Sequence, residues 1–130
     1  MNKIIYNPKA PEPIGPYSQA YIAENTLYTS GQIALDGETG NFLGGTIEEQ
    51  TEIVIANISK ILDAAEFSFH EVVKTTCFLA DMADFAKFNS VYEKYFTSKP
   101  ARSCVAVKEL PKGALVEVEV IAVKHQPLLT

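Results

Sequence analysis

A segment near the C-terminus alternates strictly between two kinds of side chain. Three valines face one way and the intervening residues face the other: Val116, Val118 and Val120 against Glu117, Glu119 and Ile121. Successive side chains of a β-strand point to opposite faces, so the alternation predicts a strand over about residues 114–124. One face of this strand is apolar and belongs to a core, whereas the other carries carboxylates. The chain must therefore build a sheet whose two faces differ.

Two amphipathic segments predict helices that cover the apolar face. Thr46 and Glu49 are spaced as a capping box, in which each side chain bonds the backbone N–H of the other residue. The apolar stripe that follows comprises Val54, Ile58, Ile61, Leu62 and Ala65. Asp81 is placed to cap a second helix, which ends before Pro100. Its apolar face is aromatic and comprises Phe85, Phe88, Tyr92, Tyr95 and Phe96.

The other apolar segments predict strands. Residues 17–22 and 27–35 flank a turn at 23–25, so positions 22 and 26 pair and Tyr17 falls opposite Gly31. The β-branched segment 71–80 is apolar on both faces, which indicates a buried strand. Residues 102–108 and 114–124 predict a hairpin around the turn 109–113. This pairing places Arg102 near position 120 and Glu117 near position 105, offset by about 10 Å along the strands.

The order β-β-α-β-α-β-β over residues 1–130 predicts a single α+β domain with both helices on one face of a sheet of four or five strands. Two helices cannot cover the second face, which still carries apolar and ionisable side chains. Exposed surfaces of this kind are usually interfaces, so we expect a homo-oligomer that buries the second face.

Charge and composition exclude several classes of function. The formal net charge is −5, the eleven Lys and Arg form no run, and an acidic surface repels phosphate backbones, so nucleic-acid binding is not expected. The N-terminus lacks the apolar stretch of a secretory signal, and no apolar run approaches the ~18–20 residues of a membrane span. Two unpatterned cysteines do not make a disulfide scaffold, so we predict a cytoplasmic protein without membrane partners.

The common catalytic motifs are missing from the sequence. It contains no phosphate-binding glycine loop, no dinucleotide fingerprint, no nucleophile elbow, and no spacing typical of metal ligands, so neither a metal nor a cofactor is expected. His70 and His125 are distant in sequence, and we interpret both as surface residues. Without a histidine in reach, a cysteine nucleophile is not indicated.

Two motifs in the first third of the chain combine glycine with polar side chains. Residues 15–19 place a Gly-Pro turn before Tyr17, which either packs in the core or lines a site. Residues 28–32 interrupt an apolar strand at Gly31, which indicates either a bulge or the close approach of a ligand to the backbone.

A third motif, residues 100–104, places Arg102 at the entry to a strand. Its planar guanidinium suits a carboxylate or phosphate ligand, or else an internal ion pair with Glu117 or Glu119. A carboxylate on a half-buried face can have a raised pKa and act as acid or base, although a solvated strand face is the plainer interpretation.

At these motifs the chain resembles the RidA/YjgF family. The resemblance runs from about residue 4 to residue 124, and the set in this order is far more specific than any one of its parts. The motifs are IGPYSQA at 14–20, TSGQI at 29–33, VKTT at 73–76, PARSCV at 100–105, LPKGA at 110–114 and VEVEVIA at 116–122. Ala106 departs from the glutamate of many members, and the short loop 97–99 can alter the rim of the cleft.

The resemblance implies a chorismate-mutase-like fold that forms a homotrimer, with sites in the clefts between subunits. It implies 2-iminobutanoate/2-iminopropanoate deaminase activity, in which enamine and imine species such as 2-aminoacrylate are hydrolysed to 2-keto acids and ammonia without a cofactor or metal. The ligand would be a small 2-imino or 2-keto acid. The alternatives are a non-catalytic regulatory trimer that binds small carboxylates, an endoribonuclease or translation inhibitor, and a chaperone-like role.

The resemblance also assigns roles to individual residues. Arg102 would hold the substrate carboxylate and Glu117 would position or activate water, and we predict both as catalytic. The other predicted substrate-binding residues are Tyr17 and Ser30, which line the cleft, Gly31 and Cys104, which act through backbone N–H groups, and Asn89, which lines the cleft as well.

Overall fold

The computed structural model describes residues 2–124, in which six strands form one mixed sheet. In chain order the elements are β1 (Lys3–Ile5), β2 (Ala20–Ala23), β3 (Thr26–Thr29), α1 (Ile47–Ala64), β4 (Val72–Leu79), α2 (Phe85–Tyr95), β5 (Ala101–Ala106) and β6 (Val116–Val123). The strand order in the sheet is β1-β2-β3-β6-β4-β5. The β4–β5 pair is parallel and the other pairs are antiparallel. The short strand β1, at the edge, was not predicted, so the sheet has six strands rather than four or five.

Both helices lie on one face of the sheet, as the sequence predicts. Val116, Val118 and Val120 are buried beneath them, whereas Glu117 and Glu119 lie half-buried on the outer face. Helix α1 contacts β6 and α2, and all three belong to a single apolar core. The α+β class with one covered face is therefore confirmed.

The start of α1 is capped as predicted, and the start of α2 differs slightly. Glu49 N–H donates to the Thr46 hydroxyl at 3.1 Å, and Thr46 N–H donates to the Glu49 carboxylate at 2.8 Å. Asp81 caps a short 3₁₀ turn, Met82–Asp84, that precedes α2 rather than capping α2 itself. Tyr95 lies outside the buried aromatic face, because its hydroxyl hydrogen-bonds Glu52 on α1.

The predicted hairpin between the last two strands is wrong. β5 and β6 do not pair with each other, because β4 lies between them and pairs with both. Thr75 of β4 is level with Arg102 on one side and with Val120 on the other. The physical reason is helix α2, which returns the chain to the end of the sheet where β4 began, so that β5 runs parallel to β4.

The first hairpin has a shorter turn than predicted. Ile22 pairs with Leu27 across the two-residue turn 24–25, and Glu24 adopts a positive φ of 57° there. The register is therefore shifted by one residue, and Tyr17 does not lie opposite Gly31. Both strands are also shorter than the predicted 17–22 and 27–35, because β3 ends at Thr29, where the chain leaves the sheet.

Candidate functional site

The polar motif after β3 forms a kink that interrupts the pairing of β3 with β6. Ser30 N–H donates to the Gln19 carbonyl at 2.9 Å, and the Ser30 hydroxyl donates to the Ser18 carbonyl. Pairing with β6 resumes at Gln32, whose N–H donates to the Val118 carbonyl at 2.9 Å. The two residues between, 30 and 31, are thus displaced from the regular ladder and open a depression beside β6.

The carboxylate of Glu117 packs directly onto the glycine at position 31, so a larger residue there would displace that side chain. A Cβ atom built on Gly31 would lie 2.2 Å from Oε2 of Glu117, well inside any tolerable contact. Within residues 2–124 the Gly31 N–H has no hydrogen-bond acceptor. The glycine in this strand therefore marks the close approach of the Glu117 side chain.

Four of the predicted site residues line one cleft of about 570 Å³, namely Tyr17, Ser30, Gly31 and Glu117. We call it the glutamate cleft. Its walls are the N-terminal segment 11–17, the kink at 30–31, the outer face of β6 and the 3₁₀ turn Pro111–Gly113.

The environment of Glu117 favours its protonated form. Burial raises the pKa of this carboxyl above its usual value, and the nearby negative charge of Glu119 raises it further. Among the described residues Glu117 has neither a hydrogen-bond donor nor an ion-pair partner. A half-buried carboxyl with a raised pKa and access to a cleft can accept and return a proton.

Arg102 lies in a different pocket of about 330 Å³, beside Asn89 on α2. Its Nη1 donates to Oδ1 of Asn89 at 2.7 Å. The guanidinium carbon lies 4.8 Å from the centre of the Tyr92 ring and 5.3 Å from that of Phe85. Such contacts orient a cation without neutralising it. We call this the arginine pocket.

The internal ion pair considered for Arg102 is not formed within residues 2–124. No carboxylate of this part of the chain lies within ion-pair distance of the guanidinium. In particular, Glu117 and Glu119 cannot reach it from the other face of the sheet. The arginine therefore keeps a free charge and further N–H donors for an anion.

The two predicted catalytic residues face opposite sides of the sheet. Arg102 is level with buried Thr75 and faces the helices, whereas Glu117 is level with Phe78 and faces outward. They are separated by two strand spacings laterally and three residues lengthwise, which places their Cα atoms about 14 Å apart. The structure thus divides the predicted site into two halves.

Cys104 lines neither of these clefts. It lies two residues beyond Arg102 on the edge strand β5, in register with Cys77. Burial raises the pKa of the Cys104 thiol, and the charge of Arg102 only partly opposes this shift. The thiol is therefore a poor nucleophile, whereas the predicted role of its backbone N–H stays a prediction.

Of the two histidines considered in the sequence, only His70 is described, and it lines neither cleft. His70 is exposed in the 3₁₀ turn before β4, and His125 lies outside the described residues. Residues 2–124 hold no group of three or more His, Cys, Asp or Glu side chains able to bind a metal. No helix in this range is long and apolar enough to cross a membrane.

Gln19 contributes to the cleft in a way that the sequence did not reveal. Its buried amide accepts from Asn7 N–H at 2.7 Å and donates to the Asn7 and Pro11 carbonyls, both at 3.0 Å. These bonds hold the N-terminal segment that forms one wall of the glutamate cleft. The acceptors are backbone atoms of an irregular loop, so no side-chain pattern could have indicated them.

Comparisons with known proteins agree with the single-sheet α+β fold. The family model described as Endoribonuclease L-PSP matches residues 7–124. The chain belongs to the RidA/YjgF family, as its motifs predict.

Individual relatives cover almost the whole chain. The 2-iminobutanoate/2-iminopropanoate deaminase of Bos taurus is 47% identical over 131 residues, covering 100% of this chain and 95% of the bovine protein. A crystal structure from Thermotoga maritima is 48% identical with a TM-score of 0.94, covering 97% of this chain and 100% of that one. A structure of E. coli TdcF with bound serine is 38% identical with a TM-score of 0.89, covering 95% and 99% of the two chains.

Proposed function

We propose that this protein is an imine deaminase that hydrolyses 2-iminobutanoate, 2-iminopropanoate and the related enamine 2-aminoacrylate to 2-keto acids and ammonia. It would work as a homotrimer with its sites between subunits. The name of the bovine relative supports the reaction, and the serine bound in E. coli TdcF supports a ligand of this size and charge.

The observation that carries the proposal is the placement of Arg102 and Glu117 on opposite faces. The carboxyl carbon and the imine carbon of a 2-imino acid are bonded neighbours, about 1.5 Å apart. A single chain cannot reach both with side chains whose Cα atoms are about 14 Å apart across a sheet. A second copy that presents its arginine pocket to the glutamate cleft of the first supplies both.

The surfaces around the two halves suit such an assembly. Ile14 at the cleft is 76% exposed, Tyr17 is 51% exposed, and Val105 on the outer face of β5 is 48% exposed. β5 is an edge strand with unpaired backbone groups along its outer side. An interface between two different surfaces of identical copies closes into a ring when its rotation permits, and a trimer is such a ring.

The chemistry follows from the two halves. Arg102 of one subunit holds the substrate carboxylate with two parallel hydrogen bonds, which orients the imine carbon. Glu117 of the neighbour takes a proton from water as its oxygen attacks that carbon, forming a carbinolamine. The imine nitrogen is protonated before the attack, and it then receives the proton that Glu117 holds. As the C–N bond breaks, ammonia leaves and the carbinolamine hydroxyl gives its proton back to Glu117, which leaves the keto group. In sum, imine and water give keto acid and ammonia.

Tyr17, Ser30, Gly31 and Cys104 keep their predicted substrate-binding roles in this proposal, with the last two acting through backbone N–H groups. For Asn89 we add a positioning role to its predicted place in the cleft, because its amide oxygen accepts a hydrogen bond from Arg102 and so orients the anchor.

The first test is an assay in which 2-aminoacrylate is generated from serine and ammonia release is followed with and without the protein. A rate equal to that of the uncatalysed reaction would contradict the proposed activity. It would leave the non-catalytic carboxylate-binding alternative, which measured binding of 2-ketobutyrate would support. The half-buried carboxyl of Glu117 argues against that alternative, because a site that only bound anions would have no use for a second carboxylate.

The second test asks whether the site is shared between copies. Arg102→Ala and Glu117→Ala chains should each be inactive alone. Co-expressed in equal amounts, they should regain roughly a quarter of wild-type activity, because about one interface in four then receives both native residues. No recovery in mixed oligomers would contradict a shared site.

The endoribonuclease alternative is disfavoured by charge. The net charge is −5, and the glutamate cleft carries Glu12, Glu117 and Glu119, which would repel a phosphodiester. RNA cleavage that copurifies with the wild type and disappears in Arg102→Ala would favour it nevertheless.

A further inference from the structure

The glutamate cleft holds more negative charge than proton transfer from water requires. Glu119 lies two residues beyond Glu117 on the same face of β6 and lines the same cleft. It forms no hydrogen bond or ion pair within residues 2–124. The ionisable groups that face the cleft are Glu12 and Tyr17 from the N-terminal segment, Lys112 from the 3₁₀ turn, and Glu117 and Glu119 from β6.

The three carboxylates of the cleft are not equivalent. Glu12 accepts a hydrogen bond from the Tyr6 hydroxyl, so its charge is partly satisfied there. Glu117 packs on Gly31 and is the proposed base. Glu119 has no hydrogen-bond or ion-pair partner within residues 2–124 and no assigned task, although it lines the same cleft as Glu117.

The charge distribution of the substrate matches this arrangement. A 2-imino acid carries a carboxylate at one end and, once protonated, a cationic iminium nitrogen beside it. Water attacks the iminium readily because its positive charge withdraws electrons from carbon, whereas the neutral imine is a weak electrophile. The arginine pocket complements the anion, and a cleft rich in carboxylates complements the cation.

We propose, resting on the deaminase function above, that Glu119 is a specificity-determining residue that stabilises the protonated iminium nitrogen and discriminates against ligands with an uncharged group there. The 2-keto acid product has no such cation. Its affinity for the cleft falls when ammonia leaves, so the same charge that favours the substrate favours release of the product.

The sharpest test measures binding rather than turnover. L-2-aminobutyrate carries a cationic nitrogen next to its carboxylate, whereas 2-hydroxybutyrate has the same size without the cation. The wild-type oligomer should prefer the amino acid. Glu119→Gln should reduce that preference about three- to tenfold, the size expected for losing one charge at short range in a partly solvated cleft. Isothermal titration calorimetry gives both dissociation constants.

Two variants serve as controls. Glu119→Asp keeps the charge and should keep most of the preference, so a loss in both variants would point to packing instead. Asp63→Asn removes one negative charge from the solvent-exposed side of α1, on the other face of the sheet. This variant should bind both ligands as the wild type does. Thermal unfolding of each variant confirms that the fold persists.

The pH dependence of kcat adds a second measurement, which would not change if Glu119 only supported the structure. The charge of Glu119 favours protonation both of Glu117 and of the bound iminium. In Glu119→Gln both limbs of the profile should therefore move to lower pH, since kcat reports ionisations of the bound complex.

The outcomes separate this inference from the proposed function. A wild type that prefers the amino acid but does not deaminate refutes the deaminase and leaves the charge selectivity standing. A wild type with no preference, or a Glu119→Gln variant with unchanged preference and unchanged limbs, overturns the inference even when deamination is confirmed.

Discussion

The two halves of the candidate site hold their charges in opposite ways. Arg102 rests between two aromatic rings and an amide oxygen, on an edge strand packed under α2. Glu117 lies against a bare glycine backbone where the sheet is interrupted, and partial burial works against its charge. The arginine is held in place and keeps its charge, whereas the pKa of the glutamate is raised. A group that binds an anion must stay charged, and a group that transfers protons must be able to change its charge.

The largest effect that this contrast predicts is on Glu117→Gln. The variant keeps the shape but cannot accept a proton, so kcat for imine hydrolysis should fall about 10²–10⁴-fold. Binding of 2-ketobutyrate should stay within about threefold of wild type, because the anchor is unchanged. A stopped assay for ammonia and a calorimetric titration measure the two. Equal losses in both would remove the distinction between the halves.

Arg102→Lys should be the next most damaging change. A lysine keeps the positive charge but not the planar fork of donors, and it cannot share the same contacts with Asn89 and Tyr92. We expect kcat/KM to fall about 10–100-fold, together with a similar loss in affinity for 2-ketobutyrate. Near wild-type deamination in this variant would contradict the carboxylate-anchor assignment.

Gly31→Ala tests how the glutamate is positioned. The added Cβ would collide with Glu117, so the carboxylate must move and the variant should lose about 1–3 kcal/mol of unfolding free energy, along with much of its activity. Gly44→Ala is the matched control, because its Cβ would meet only Phe42 at 3.8 Å. Chemical denaturation of both variants, compared with wild type, measures the difference. Equal stabilities would show that Glu117 can leave Gly31 at no cost.

Asn89→Ala tests how the arginine is positioned. Without the amide oxygen the guanidinium keeps its aromatic contacts but loses one fixed orientation, so KM should rise about three- to tenfold while kcat changes less. Steady-state kinetics separate the two parameters. If kcat collapses instead, Asn89 contacts the reacting atoms and is not only a support for Arg102.

The smallest effect concerns stability and pH. Burial raises the folded-state pKa of Glu117, so its contribution to stability is present below the unfolded pKa and is lost as pH rises through the folded pKa. Glu117→Gln should therefore match the wild type near pH 4 and exceed its unfolding free energy at pH 7.5, where only the wild type carries the disfavoured charge. Thermal unfolding at the two pH values checks the sign. A stabilisation that is equal at both would implicate packing rather than ionisation.

The layers of the fold were predictable because they follow from local periodicity. The alternation of valine and glutamate in β6 and the capping box of α1 each define which side faces the core. The pairing of β5 was not predictable in this way. A five-residue connection between two apparent strands suggests a hairpin, and only the return path through α2 shows that β4 takes the place between them.

The same error placed the two halves of the site too close together. With β5 and β6 treated as neighbours, Arg102 and Glu117 were expected one strand spacing apart, with an offset of about 10 Å along the strands. The residues themselves were recognisable from their motifs, whereas the lateral distance between them depends on the strand that lies between β5 and β6. The cleft wall that Gln19 holds could not be predicted from the sequence either, because Gln19 bonds to backbone carbonyls of a loop that has no repeating pattern.

The placement of reactive groups on both sides of the sheet determines how many sites are lost when altered and normal chains assemble together. In the proposed ring each copy lends its arginine to one neighbour and its glutamate to the other. A defective copy that lacks one of these groups silences one centre of three, whereas a copy that lacks both silences two. A cell that makes normal and doubly altered chains together would therefore lose more capacity than the share of altered chains suggests, because a centre works only when both of the copies that form it are normal.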